Sequence, residues 1–265
     1  MPALSNSAVS THHLMSDSTS RKRWNFAASL DALATLAAAV FVLALIADVA
    51  QSLLPLQAAF FRRAVTLAAL AAAVVFASVV LRLGEQPFGS ANRVTTMRAI
   101  GVAFLAGFSG EAPAPVVLWT IVVFAIVLLV LDGLDGRLAR RSGLQSPFGA
   151  RFDMETDAAL TFVLALLCWQ FGKAGVWILA VGLMRYAFVA ASRPLPWIGR
   201  ALPYSRRRQT ICVLQLSGLL ATLSPLFSPP ASSIMGLLTL LMLSSSFAVD
   251  LNWLASRRPD GATPV

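Results

Sequence analysis

Between Phe26 and Leu254 the chain is a succession of apolar runs, most of them near the ~20 residues that carry a helix across a bilayer. Hydrocarbon offers no water to satisfy backbone N–H and C=O groups, so runs of this length fold as helices that close their own hydrogen bonds. Eight such segments can be read. They are about 26–54, 64–83, 91–108, 116–131, 158–170 (continuing a helix begun near 153), 174–192, 209–227 and 232–254. With 57% hydrophobic and 12% charged residues and a mean hydropathy of +0.74, the chain is an all-α polytopic membrane protein rather than a soluble domain.

The net charge of +9 would suggest nucleic acid in a soluble protein. Here it follows from the bias of basic residues toward cytoplasmic loops and from anionic headgroups, so no nucleic acid is expected. With the N-terminus inside and eight crossings, only Arg62, Arg63 and Lys173 face outward, and Arg185 lies within a segment. Residues 1–24 are Ser- and Thr-rich and end in Arg21, Lys22 and Arg23, which reads as a disordered cytoplasmic tail before an uncleaved first helix. Residues 25–84 form a transmembrane hairpin, set off by Gly84–Arg93 with Pro87 and Gly89 as breakers. Residues 90–255 form a six-helix unit, and 256–265 a cytoplasmic tail. Cys168 and Cys212 sit in apolar segments outside any metal-binding spacing and read as inert hydrophobes.

One stretch breaks the apolar pattern. Asp132 to Asp157 holds five of the chain's twelve carboxylates: Asp132, Asp135, Asp153, Glu155 and Asp157. Acid between membrane segments is costly unless paired, which makes this a functional site by default. The spacing keeps helical phase: Asp132, Asp135, Gly136, Ala139 and Arg140 share one face, and Gly149, Asp153 and Asp157 share a face of the next helix. Two such helices facing each other bring four carboxylates to one pocket, where they stay ionised only among cations. All-oxygen ligands without His or Cys select hard ions, Mg²⁺, Mn²⁺ or Ca²⁺, and four Asp can bridge two of them, a device of phosphoryl chemistry.

The stretch reads D-x-x-D-G-x-x-A-R, eight residues, then G-x-x-x-D-x-x-x-D, with all fixed positions present at Asp132, Asp135, Gly136, Ala139, Arg140, Gly149, Asp153 and Asp157. It resembles the signature of the CDP-alcohol phosphatidyltransferase family. Asn92, Thr95 and Arg98 resemble that family's less specific opening pattern Asn-x-x-Thr-x-x-Arg. The resemblance covers roughly residues 90–255, with the N-terminal hairpin as a departure from it.

What the resemblance implies is transfer of a phosphatidyl or similar phosphoalcohol group from a CDP-linked lipid, CDP-diacylglycerol being favoured, to an alcohol acceptor with release of CMP. This is a step of phospholipid biosynthesis. Asp132, Asp135, Asp153 and Asp157 would hold two Mg²⁺ or Mn²⁺ ions, and Asp157 would also accept the proton of the attacking hydroxyl. Asn92, Thr95, Gly136, Ala139, Arg140, Ser146 and Gly149 would bind the CDP portion. Arg98, Arg185, Arg207 and Arg208 would suit a phosphorylated acceptor, glycerol 3-phosphate or an inositol phosphate. The resemblance also implies a homodimer, and the topology implies a bacterial inner membrane with the site on the cytoplasmic side. A divalent-cation transporter would explain acids in the membrane but not Ala139, Arg140 and Gly149 at fixed spacing. A non-catalytic lipid-binding relative would be marked by a lost Asp, and none is lost.

Overall fold

A computed structural model describes the backbone of residues 8–82, 89–142, 147–200 and 202–257, and the side chains of 29–81, 89, 92–133, 148–200 and 202–257. Among them are eight α-helices and no strand: α1 Ala8–Leu53, α2 Phe60–Arg82, α3 Gly89–Gly107, α4 Pro115–Ser142, α5 Pro147–Gln170, α6 Leu179–Ala191, α7 Arg206–Leu223 and α8 Ala231–Ala255. A 3₁₀ turn, Val176–Ile178, leads into α6. Pro115 and Pro147 open their helices, where a missing N–H costs nothing. Gly172, in the left-handed region at φ 66°, turns the chain after α5. The α1 backbone is helical from Ala8, through most of the stretch that the sequence reads as a tail.

Among the described residues, four helices are long and apolar enough to cross a membrane by length and composition: Ser29–Leu53, Phe60–Leu81, Pro115–Gly133 and Ala231–Ala255. They are apolar on the outside as well as inside. Phe41, Leu70, Val74, Val130 and Leu238 are all exposed, as expected of helices that meet lipid. Val176–Ala191 is a shorter apolar stretch. Helices α3, α5 and α7 do not qualify alone, because they carry Arg98, the Asp153–Asp157 acids and the Arg206–Arg208 triplet. All three carry predicted site residues, while α4, which carries Asp132 and Asp135, qualifies over Pro115–Gly133.

Helix α3 is central, packing against α1, α2, α4 and α5. Its lower half joins an aromatic cluster. Phe60 of α2 lies 4.7 Å from Phe108, Phe104 meets Phe108 edge-on at 5.3 Å, and Phe124 of α4 lies 4.7 Å from Phe104. Such pairs add to plain burial. Gly107 lets α2 approach so closely that a Cβ there would stand 2.9 Å from the Ala64 Cβ.

The hairpin α1–α2 is therefore docked on the core. Beyond the end of α3, Arg63 of α2 pairs with Glu111, whose side chain is 1% exposed. The Gln57 backbone N–H donates to the same carboxylate at 2.8 Å, and its side-chain amide donates to the Gly110 carbonyl. Gly110, at φ 85°, makes the turn that admits the Arg63 guanidinium. At the other end Arg93 of α3 donates to Asp31 of α1 at 2.6 Å. Ala32, Leu36, Val75 and Val79 of the hairpin also pack against Phe148 and Phe152 of α5.

The α5–α6 turn is tied down separately. Lys173 Nζ donates to the carbonyls of Ser224 and Phe227, and the hydroxyls of Ser232 and Ser233 donate to the Lys173 carbonyl. Burial pushes the Lys173 ammonium below its ordinary pKa.

Candidate active site

The site lies where the first half of α3 meets the end of α4 and the start of α5. Antiparallel alternation brings these three helix portions to one end of the bundle, away from the Glu111 and Lys173 ties. Asn92, Thr95, Thr96 and Arg98 of α3 are buried polar residues, while Arg93 and Met97 are exposed. Thr96 Oγ1 donates to the Asn92 carbonyl at 2.8 Å, which satisfies its hydroxyl within the helix.

Three of the four signature carboxylates converge on Arg98. Its Nη1 lies 2.7 Å from Asp132 Oδ1 and 2.6 Å from Asp153 Oδ1, and its Nη2 donates to Asp157 Oδ1. The Arg98 side chain is 1% exposed, whereas those of Asp132, Asp153 and Asp157 are 37%, 41% and 31% exposed. The acids thus form the open mouth of a pocket and the guanidinium its floor. One oxygen from each acid lies within 4.8 Å of the others. Such crowding of like charge requires positive charge among the oxygens, and here a planar fork of donors supplies it. The i, i+4 spacing of Asp153 and Asp157 puts both on the face of α5 that meets α3. Thr161 Oγ1 donates to the Asp157 carbonyl at 2.9 Å, one turn further on.

A protein-family model described as CDP-alcohol phosphatidyltransferase matches residues 88–247, more than half of the chain and all of these carboxylates. The chain belongs to that family. No curated protein and no solved structure matches it. Members of the CDP-alcohol phosphatidyltransferase family transfer a phosphatidyl group from a CDP-alcohol to an alcohol acceptor and typically use a divalent metal. The donor set fits such an ion: three hard oxygen ligands converge, without His or Cys, in a spot whose charge already calls for a cation.

Other family-signature positions are less fully described. Asp135, Gly136, Ala139 and Arg140 continue the α4 backbone, but their side chains lie outside the described residues, as does Ser146 altogether. Gly149 stands one turn before Asp153 on α5.

The four arginines singled out for an acceptor phosphate each have partners within the chain. Arg98 is engaged by the signature acids. Arg185 of α6 donates to Glu155 at 2.7 Å. Glu155 sits two residues from both Asp153 and Asp157, on the far side of α5 from them. Arg207 of α7 pairs with Asp250 of α8 and donates to the Ser246 carbonyl and hydroxyl, each at 2.8 Å. Arg208 donates to the Pro203 carbonyl. Sequence reasoning missed Glu155 and Asp250 as partners of these arginines. Asp250, a lone acid near the end of the last apolar segment, carried the signal that finds such partners. Helix α7 contacts both α4 and α5.

Proposed function

We propose that the protein transfers the phosphatidyl group of CDP-diacylglycerol to the hydroxyl of a small alcohol and releases CMP, at the cytoplasmic face of a bacterial inner membrane. The observation that carries this reading is the convergence of Asp132, Asp153 and Asp157 on one buried guanidinium at the mouth of a membrane helix bundle. In this reading Asp132, Asp135, Asp153 and Asp157 hold two Mg²⁺ or Mn²⁺ ions. Bound there, the ions neutralise the donor diphosphate and stabilise the departing CMP.

The chain's own groups do the rest. Asp157 accepts the proton of the attacking hydroxyl, the general-base role that a carboxylate beside the acceptor fills. Gly136, Ala139 and Gly149 leave room for the nucleotide against the backbone, Arg140 offers its phosphates a bidentate fork, and Asn92, Thr95 and Ser146 complete the CDP contacts. The outward apolar faces of α1, α2, α4 and α8 keep the lipid chains of donor and product in the bilayer. Those faces suit lipid and a second copy of the chain equally, so a homodimer plays no part in the proposal.

For the acceptor, glycerol 3-phosphate or an inositol phosphate is favoured, on the basic residues Arg98, Arg185, Arg207 and Arg208. With Arg98, Arg185 and Arg207 bound to protein carboxylates, this preference rests chiefly on Arg208.

The test is CMP release by purified protein with CDP-diacylglycerol and Mn²⁺ or Mg²⁺, across a panel of acceptor alcohols. Release with one acceptor, lost on Asp157→Asn by a factor of about 10² or more while the protein stays folded, is the expected result. Undiminished release from Asp157→Asn sinks the role of that carboxylate. No release with any acceptor sinks the choice of donor.

A further inference from the structure

Arg98 stands where it should not if the acids existed only to hold metal. It is the most buried charged side chain of the site, and it touches an oxygen of Asp132, Asp153 and Asp157 at once. One oxygen from each of the same three acids lies within 4.8 Å of the others, close enough to share an ion. A divalent cation that takes the oxygens held by the guanidinium displaces it from them. In the absence of such a cation, loss of the guanidinium would leave three clustered carboxylates with one fewer positive charge, in a partly buried, low-dielectric place.

Resting on the metal-site reading above, we propose that Arg98 is a displaceable countercharge. Its guanidinium holds the metal-free carboxylates together, yields their oxygens when divalent ions bind, and so sets how tightly those ions are held. Arg98 is thus a positioning residue that acts through the carboxylates rather than on the substrate. Two effects of removing it oppose each other. The acids lose a group that pre-orders them, which weakens metal binding. They also lose a competitor and a like charge beside the incoming ion, which strengthens it. The second effect dominates, because charge repulsion at contact distance in a poorly solvated site exceeds the cost of ordering three short side chains.

The experiment uses the full chain in detergent micelles, as wild type, Arg98→Gln, Arg98→Lys and, as a control away from the cluster, Arg185→Gln. Mn²⁺ affinity is measured by calorimetric titration, and melting is followed in chelator and in saturating Mn²⁺. Arg98→Gln is expected to melt below wild type in chelator, to regain most of that loss in Mn²⁺, and to bind Mn²⁺ about tenfold or more tightly. Arg98→Lys, keeping the charge but losing the fork, is expected to fall between the two. Arg185→Gln is expected to match wild type in Mn²⁺ affinity.

Equal Mn²⁺ affinity in wild type and Arg98→Gln overturns the inference, as does a melting deficit that persists in Mn²⁺, which marks a merely structural role. If Arg98→Gln folds only when Mn²⁺ is present, the inference is supported. If it folds in neither condition, Arg98→Lys decides, and a wild-type affinity there overturns it. Failure of the wild type itself to bind Mn²⁺ would instead overturn the metal-site reading.

Discussion

Replacing Gly182 with Ala and replacing Gly133 with Ala are expected to shift stability in opposite directions. Gly182 of α6 is buried against α5, and a Cβ there would stand 2.5 Å from the Phe162 Cα and 3.1 Å from its Cβ. Carbon atoms in good contact sit ~3.5–4.0 Å apart, so α6 would have to retreat by about 1 Å. Overpacking of this kind costs ~1–3 kcal/mol, and the upper half applies here because a backbone atom cannot rotate away. Against that, Ala in place of Gly inside a helix returns ~1 kcal/mol, leaving a net loss of about 1–2 kcal/mol. At Gly133 of α4 a Cβ meets no described atom within 4 Å, so only the propensity gain of ~0.5–1 kcal/mol remains. At roughly 2–4 °C per kcal/mol for a chain of this size, the two variants should melt about 3–12 °C apart. Intrinsic tryptophan fluorescence during thermal unfolding in micelles reads the difference. Shifts in the same direction, or Gly182→Ala melting at or above the parent, would refute the close α5–α6 approach on which the argument depends.

Two further outcomes are expected. Arg63→Met strands Glu111, whose side chain is almost fully buried. It should lower stability by ~3 kcal/mol, read in denaturant melts, and Glu111→Gln in the same chain should recover much of the loss by removing the unpaired charge. Arg140→Lys should weaken binding of a CDP-lipid by about tenfold, measured by competition with CMP, because an ammonium cannot reproduce the guanidinium fork; unaltered affinity would remove Arg140 from the nucleotide site.

The signature acids were legible in the sequence because their spacing has a helical period. Asp132 and the Asp153–Asp157 pair could only face each other across two neighbouring helices, and they do. Arg98 was legible as a member of the site but not in its role. Its acid partners on α5 lie 55 and 59 residues away, and an Asn-x-x-Thr-x-x-Arg opening has a blander reading as ordinary capping with an interfacial Arg. Arg185 and Arg207 were read as phosphate ligands because a basic residue in or beside a membrane segment announces a need for negative charge without saying whose. Glu155 and Asp250 meet that need from within the chain. The docking of the hairpin was not legible at all. Ala64, Phe60 and Val75 look the same in sequence whether they face lipid or another helix, since both are apolar surroundings.

The hairpin lies outside the stretch that the family shares, yet it clasps α3 at both ends, through Asp31 and Arg93 near its start and through Arg63 and Glu111 past its finish. Kinship and self-sufficiency are therefore drawn along different lines in this protein. A chain trimmed to begin at residue 88 would keep every signature acid and still leave the buried Glu111 carboxylate without its cation, and the Phe104–Phe108 face of α3 without the helix that covers it. The helices before residue 88 are thus part of the packing around α3, and grafting the matched region alone into another protein would carry over the signature acids without that support.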